Sequence, residues 1–284
     1  MIEGALVLEG GALRGMFTAG VLDVLLEKKI EFSYVNGVSA GSLNGMNYIS
    51  GQEGRSRDIN LQFINDKRYM SARNIVRNGG IFNFHFLFGE ISEQLMPFDA
   101  RTFFASEQRF EVVATNCRTG RAEYFEKGKE PEIIRAAAAS SSMPILSSMI
   151  SLNGRRYLDG GIAEPIAYRR AMEQGYKKNV LVLTRQRGFR KPAIPRPLAL
   201  AYRRHYRQYP QLVGRLLQIP DHYNRIQEEL EGLEDSGRIF IIRPPEPVLI
   251  SRTEKDTRRL RELYETGRKE AEERLPAMEE YLKK

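Results

Sequence analysis

Two consecutive strand–turn–helix units open this chain, and both turns are built on glycine. The apolar run Gly4 to Glu9 ends in Gly10-Gly11-Ala12-Leu13-Arg14-Gly15, after which Met16 to Lys28 carries apolar residues at 17, 21, 22, 25 and 26. Phe32 to Val38 and Ser42 to Ser50 repeat that order around Asn36-Gly37-Val38-Ser39-Ala40-Gly41. A βαβα opening predicts a parallel sheet with right-handed connections, which brings both glycine turns to the carboxyl edge of the sheet. A serine at so sharp a strand-to-helix turn has its hydroxyl lifted clear of the backbone, which makes Ser39 a candidate nucleophile. Gly37 and Gly41 suit such a turn because side chains there would crowd it.

The rest of the chain continues the α/β pattern. Phe110 to Cys117 and Ala122 to Phe125 read as strands joined by Arg118-Thr119-Gly120, and Glu132 to Ser140 as a small-residue helix stopped by Pro144. A short strand, Arg156 to Leu158, runs into Asp159-Gly160-Gly161, followed by a helix from Pro165 to Gln174 and a buried strand from Asn179 to Thr184. Residues 1–184 therefore read as a catalytic α/β core. Residues 185–284 read as a basic linker, helices, a returning strand at 239–243 and a terminal helix from about Thr253, packed on the core as one domain. The terminal helix has Leu260, Leu263, Tyr264, Ala271, Leu275, Met278 and Leu282 on one face, with Glu254/Arg258, Glu265/Lys269 and Glu270/Arg274 at i,i+4 spacing.

Composition excludes several classes. Cys117 is the only cysteine of the 284 residues, so no internal disulfide can form, and its apolar strand predicts an inert buried thiol. The sequence offers neither a recognisable secretory signal nor an apolar stretch of about 18 residues, and the expected location is cytoplasmic. Of the net charge of +8, nine positive charges fall between Arg185 and Arg215 with no acid among them, leaving −1 elsewhere. With Phe189, Tyr202, Tyr206 and Tyr209 interleaved, this segment reads either as a solvated face or as a peripheral contact for anionic membrane. Phe82, Phe84, Phe86 and Phe88 alternate with other residues and, if extended, form one aromatic face: core packing or the wall of an acyl-chain site.

A serine hydroxyl needs a base to take its proton. The three histidines, His85, His205 and His222, have no convincing loop setting. Only one strand precedes the strand carrying Ser39, which is not the order of the usual α/β-hydrolase, where the histidine comes last. The alternative base is Asp159, at a strand end and followed by two glycines that make a rigid turn. Burial there would strengthen its hydrogen bond to a hydroxyl.

The blocks Gly10-Gly11-Ala12-Leu13-Arg14-Gly15, Gly37-Val38-Ser39-Ala40-Gly41, Ser141-Ser142-Met143-Pro144 and Asp159-Gly160-Gly161 resemble, in this order, the patatin-like phospholipases. The resemblance spans roughly residues 4 to 184. It implies a three-layer α/β/α sandwich with a mainly parallel central sheet, a Ser39–Asp159 dyad without histidine, and an oxyanion hole from the amides of Gly10, Gly11 and Ala12. Arg14, Gly15, Gly37, Gly41, Gly160 and Gly161 are then supporting motif residues, and Arg14 either anchors the loop or attracts a lipid phosphate. The implied reaction is hydrolysis of lipid acyl esters of the phospholipase A type, with no metal, cofactor or nucleic acid. Ala12 departs from the family, many members of which have a third glycine there, and alanine demands a less permissive backbone. Ala12 also spoils the dinucleotide-binding fingerprint, and the second strand ends on Gly37-Val38-Ser39 where that fold needs an acid. The remaining alternative is a non-catalytic membrane- or RNA-binding module using residues 185–215.

Overall fold

The central strands are apolar on both faces, and this decides the layering. Along β1 (Ile2–Leu8), Leu6 and Leu8 enter the largest hydrophobic cluster while Ala5 and Val7 enter a second one. Val180 and Val182 divide in the same way from Leu181 and Leu183. Successive side chains on a strand point to opposite faces, so two buried faces require helices on both sides. The computed structural model, which describes residues 1–284, has that three-layer α/β/α form.

Eight strands make one sheet: β1, β2 (Phe32–Val38), β3 (Arg109–Asn116), β4 (Ala122–Glu126), β5 (Ile150–Leu152), β6 (Arg155–Asp159), β7 (Asn179–Val182) and β8 (Phe240–Ile242). Their order is β5-β6-β3-β2-β1-β7-β8, with β4 also paired to β3. The five strands β1, β2, β3, β7 and β8 run parallel, whereas β4, β5 and β6 pair antiparallel. The returning strand thus joins the sheet beside β7.

Register explains how distant residues meet. Strand β2 pairs with β3 up to Val38↔Val113, and β6 begins at Ala114↔Asp159. Because β4 covers residues 111–115 of β3 on the other edge, β2 and β6 share one lane and meet head to head at their carboxyl ends. Ser39 follows Val38, so the topology delivers Asp159 to it. Gly160 turns the chain away at a point where a Cβ would lie 2.1 Å from the Val113 carbonyl oxygen.

The terminal helix Thr257–Lys283 crosses the helix Gly15–Glu27 at two glycines. A Cβ on Gly20 would lie 2.1 Å from the Tyr264 carbonyl, and one on Gly267 2.1 Å from that of Phe17. The buried Tyr264 hydroxyl donates to Asp23 at 2.7 Å, and Arg268 grips Glu27 with bonds of 2.7 and 2.9 Å. The expected i,i+4 pairs do not form: Glu254 precedes the helix and binds Arg259 at 2.7 Å, while Arg274 lies 4.0 Å from Glu234. Arg258–Glu262 and Lys269–Glu273 take their place, at 3.9 and 3.7 Å.

Residues 82–88 are not an extended aromatic face. Asn83 caps a helical turn at Phe84–Phe86 by accepting from the Phe86 amide, and a π-helix follows at Leu87–Leu95. Cys117 is fully buried and unpaired, and burial pushes its thiol up to about 12.

Candidate active site

Ser39 sits between β2 and the helix Ala40–Ile49 with φ +55° and ψ −126°, a region that L residues rarely occupy. The surroundings hold it there. Its carbonyl accepts from Ser42 Oγ at 2.6 Å, and its amide donates to Ser140 Oγ at 2.8 Å, which in turn donates to the Val113 carbonyl at 2.5 Å. A Cβ on Gly37 would stand 2.6 Å from the Ser42 backbone, and one on Gly41 2.4 Å from the Leu8 carbonyl. The turn therefore closes only with glycine at both positions.

The Ser39 hydroxyl donates to Asp159 Oδ2 at 2.8 Å. Asp159 Oδ1 accepts from the Gly161 amide at 2.8 Å, so the second glycine orients the carboxylate. Thr115 Oγ1 holds the Asp159 carbonyl at 2.8 Å, and the Asp159 amide donates to Ser142. Burial raises the Asp159 carboxyl above its ordinary value, opposed by the bonds from Ser39 and Gly161 and by the positive charges of Arg252 and Lys191. No histidine approaches: His85 and His205 are exposed, and burial pushes His222 down to about 4.

The glycine loop lies against the serine. A Cβ on Gly10 would be 3.0 Å from Ser39 Cβ, and one on Gly11 2.8 Å from Thr184 Oγ1. Ala12 adopts φ +48°, in the left-handed region that favours glycine. The amides of Gly10, Gly11 and Ala12 make no hydrogen bond within the chain. Gly15 brings the following helix close to Ala40 and Asn44, and Asn44 donates to the Gly15 carbonyl at 2.9 Å. The Arg14 Nε is buried without a hydrogen-bond partner.

A cavity of about 360 Å³ opens at Ser39, with 15 hydrophobic residues among its 25 lining residues. Ala12, Leu13, Leu43, Phe82, Phe84 and Phe88 are among them. The aromatic run thus reaches the cavity through helical spacing and the π-helix, not through strand alternation. Ser140 and Thr115 were not singled out by sequence. Ser140 abuts the Ser141-Ser142-Met143-Pro144 block, which was the available signal.

The Patatin-like phospholipase family model matches residues 6–172, more than half of the chain. The chain belongs to the patatin-like phospholipase family. A second model, Domain of unknown function (DUF6363), matches residues 209–283. The uncharacterized protein YjjU of Escherichia coli K12 is 30% identical over 279 residues, covering 93% of this chain and 74% of its own length. The probable lipid hydrolase 463L of Invertebrate iridescent virus 6 is 29% identical over 191 residues, 61% of this chain and 65% of that protein. Among solved structures, VipD from Legionella pneumophila aligns with 98% of this chain and 67% of its own, at a TM-score of 0.49 and 12% identity. No helix is long and apolar enough to cross a membrane.

Proposed function

We propose that this protein is a serine hydrolase of lipid acyl esters, with Ser39 as nucleophile and Asp159 as its base. The observation that carries this reading is the 2.8 Å bond from the Ser39 hydroxyl to Asp159 at the mouth of an apolar cavity. The acyl chain occupies that cavity, which puts the ester carbonyl over Ser39 Oγ. As Oγ attacks, its proton passes to Asp159 Oδ2, and the tetrahedral oxyanion meets the glycine-loop amides. Three facts support that assignment of the oxyanion hole: the free amides of Gly10, Gly11 and Ala12, the packing of Gly10 against Ser39 with Ala12 lining the same cavity, and the engagement of Ser39's own amide with Ser140. Preorganised donors of this kind are typically worth about 3 kcal/mol each. Asp159 then returns the proton to the leaving alkoxide, and the same base activates water for deacylation. A phospholipase A-type specificity is the finer form of the proposal.

A fluorophosphonate probe tests the reading. Labelling should map to Ser39 by peptide mass and vanish in Ser39→Ala. An adduct on Ser42 or Ser141 would overturn it.

A further inference from the structure

The cavity at Ser39 changes character along its length. One face of the helix Ala40–Ile49 forms a wall of it, on which Ala40, Leu43 and Asn47 follow one another at helical spacing. At 1.5 Å per residue, Asn47 stands about 12 Å along that helix from Ser39. Leu43, between the two, is apolar, whereas Asn47 shares its end of the lining with Arg55, Ser56, Asn60 and Ser92. Hydrogen bonds tie these residues into one group. Arg55 Nη1 donates to Asn47 Oδ1 at 2.7 Å and Arg55 Nη2 to Ser92 Oγ at 2.9 Å. Asn47 Nδ2 donates to Ser56 Oγ at 2.6 Å, and Asn60 Nδ2 to the Ser56 carbonyl at 2.8 Å.

Arg55 is the only cation of the lining and is 8% exposed. Its partners are all neutral: Asn47, Ser92 and the Met96 carbonyl, which accepts from Nε at 3.2 Å and from Nη2 at 2.9 Å. Burial holds the guanidinium down to about 10, so it stays charged at neutral pH. This placement costs stability twice. A buried charge without a counterion is unfavourable, and a cation in the first turn of a helix, here Arg55–Phe63, opposes the helix dipole. The Met96 carbonyl, at the end of the π-helix, offsets only part of that cost. The four bonds also leave one Nη1–H free. The nearby amide oxygens are already engaged, Asn47 Oδ1 by Arg55 and Asn60 Oδ1 by the Tyr69 hydroxyl at 3.4 Å. Glu93, the only acid of the lining, is exposed and forms no ion pair with Arg55. This end of the cavity therefore offers donors and positive charge, and lacks an anion.

We propose that Arg55, with Asn47 and Ser56, receives a carboxylate at the far end of the acyl chain, which makes esters of medium-chain dicarboxylic acids the substrate class of Ser39. This deepens the hydrolase reading and rests on it for the position of the ester. An extended chain advances about 1.2 Å per bond, so an acyl group of roughly nine carbons spans the distance from Ser39 to Asn47. A terminal carboxylate accepts from the guanidinium and amide donors, whereas a methyl end leaves them stranded in a dry site. A shorter diacid leaves its charge beside Leu43, where nothing pairs it. Hydrolysis releases the alcohol and a free dicarboxylic acid.

Steady-state hydrolysis of soluble p-nitrophenyl esters at neutral pH, where a free carboxyl is ionised, tests the subsite. The monoester of azelaic acid should exceed p-nitrophenyl nonanoate in kcat/KM at least about tenfold, the ordinary worth of a charge-assisted hydrogen bond. The monoester of glutaric acid, too short to reach Arg55, should fall below p-nitrophenyl pentanoate. Arg55→Gln should bring the azelaic-to-nonanoyl ratio down to about one or below. Because Arg55 also ties segments of the chain together, Asn60→Asp provides a second variant. It keeps the size of the side chain, places a competing carboxylate at the same end, and should lower the ratio at least about fivefold. No preference for the azelaic monoester in the parent protein would overturn the subsite. Equal losses on both esters in both variants would reduce Arg55 to a helix clamp, and the subsite would fall. A glutaric monoester favoured by the same factor would show attraction at the mouth of the cavity and overturn the role of Arg55. Failure of the hydrolase reading would show separately, as no hydrolysis of any ester and an unlabelled Ser39.

Discussion

At the scale of single residues, Asp159 combines two opposing demands. A buried carboxylate is a stronger base, but the folded protein must bear an anion away from water. Its folded pKa lies above the unfolded one, so the folded state binds more protons in that window, and stability falls as pH rises through it. The catalytic role needs the opposite form, because only the anion accepts the Ser39 proton. Activity should therefore fall as pH drops through the raised pKa, placing the acid limb above the ordinary carboxylate range. Asp159→Asn should lower kcat by at least about 10³-fold and yet raise the Tm measured at pH 8. Alanine at His85, His205 or His222 should leave most of the activity. A large loss of rate in one of these folded histidine variants would contradict the dyad, as would an Asp159→Asn protein that hydrolyses esters normally.

At the scale of elements, the glycine crossing between the first and terminal helices is a sharp test of packing. Alanine in a helix interior normally gains about 1 kcal/mol over glycine. At Gly267 the added Cβ would lie 2.1 Å from the Phe17 backbone oxygen, so the helices must separate. Overpacking of this kind costs about 1–3 kcal/mol. Gly267→Ala should accordingly lower the urea midpoint, whereas Gly232→Ala, with open space around its Cβ, should not. The same contact shows where sequence reasoning succeeds and where it stops. Strand ends, glycine turns and the Ser39 and Asp159 blocks are local patterns, and each was legible. The glycines at 20 and 267 gain meaning only when two helices 247 positions apart are laid together. Likewise, an alternating aromatic run at 82–88 carries a period-2 signal, but the Asn83 cap and the π-helix override it. The helices Arg55–Phe63, Ala72–Asn78 and Ala100–Ala105, and strand β5, lacked a pattern strong enough to read.

At the scale of the whole molecule, the nine basic residues between 185 and 215 separate into groups that composition could not distinguish. Arg187 and Arg190 are neutralised, Arg185 and Lys191 stack on the rings of Phe189 and Tyr223, and Arg215 donates to the Ala163 carbonyl at 2.5 Å. Arg196, Arg203, Arg204 and Arg207 remain on the surface. The interleaved aromatics are turned inward: Tyr202 and Tyr206 are buried, Tyr209 is half-buried against the same cluster, and Phe189 packs on Tyr223. Leucine takes their place, since Leu198 is 37% and Leu200 68% exposed on the same helix, Arg196–His205. We propose that this patch makes a peripheral contact with anionic bilayers. Each arginine near such a surface contributes about 1 kcal/mol, so replacing Arg203, Arg204 and Arg207 with glutamine should weaken partitioning onto phosphatidylserine-containing vesicles roughly a hundredfold. Raising salt from about 0.1 M to 1 M shortens the screening length from about 10 Å to about 3 Å and should have a similar effect on the parent protein. The triple variant Arg73, Arg77 and Arg261 to glutamine changes net charge equally at exposed sites elsewhere. Vesicle sedimentation that finds both triple variants equally impaired would show a diffuse attraction of the whole charge and overturn the local contact.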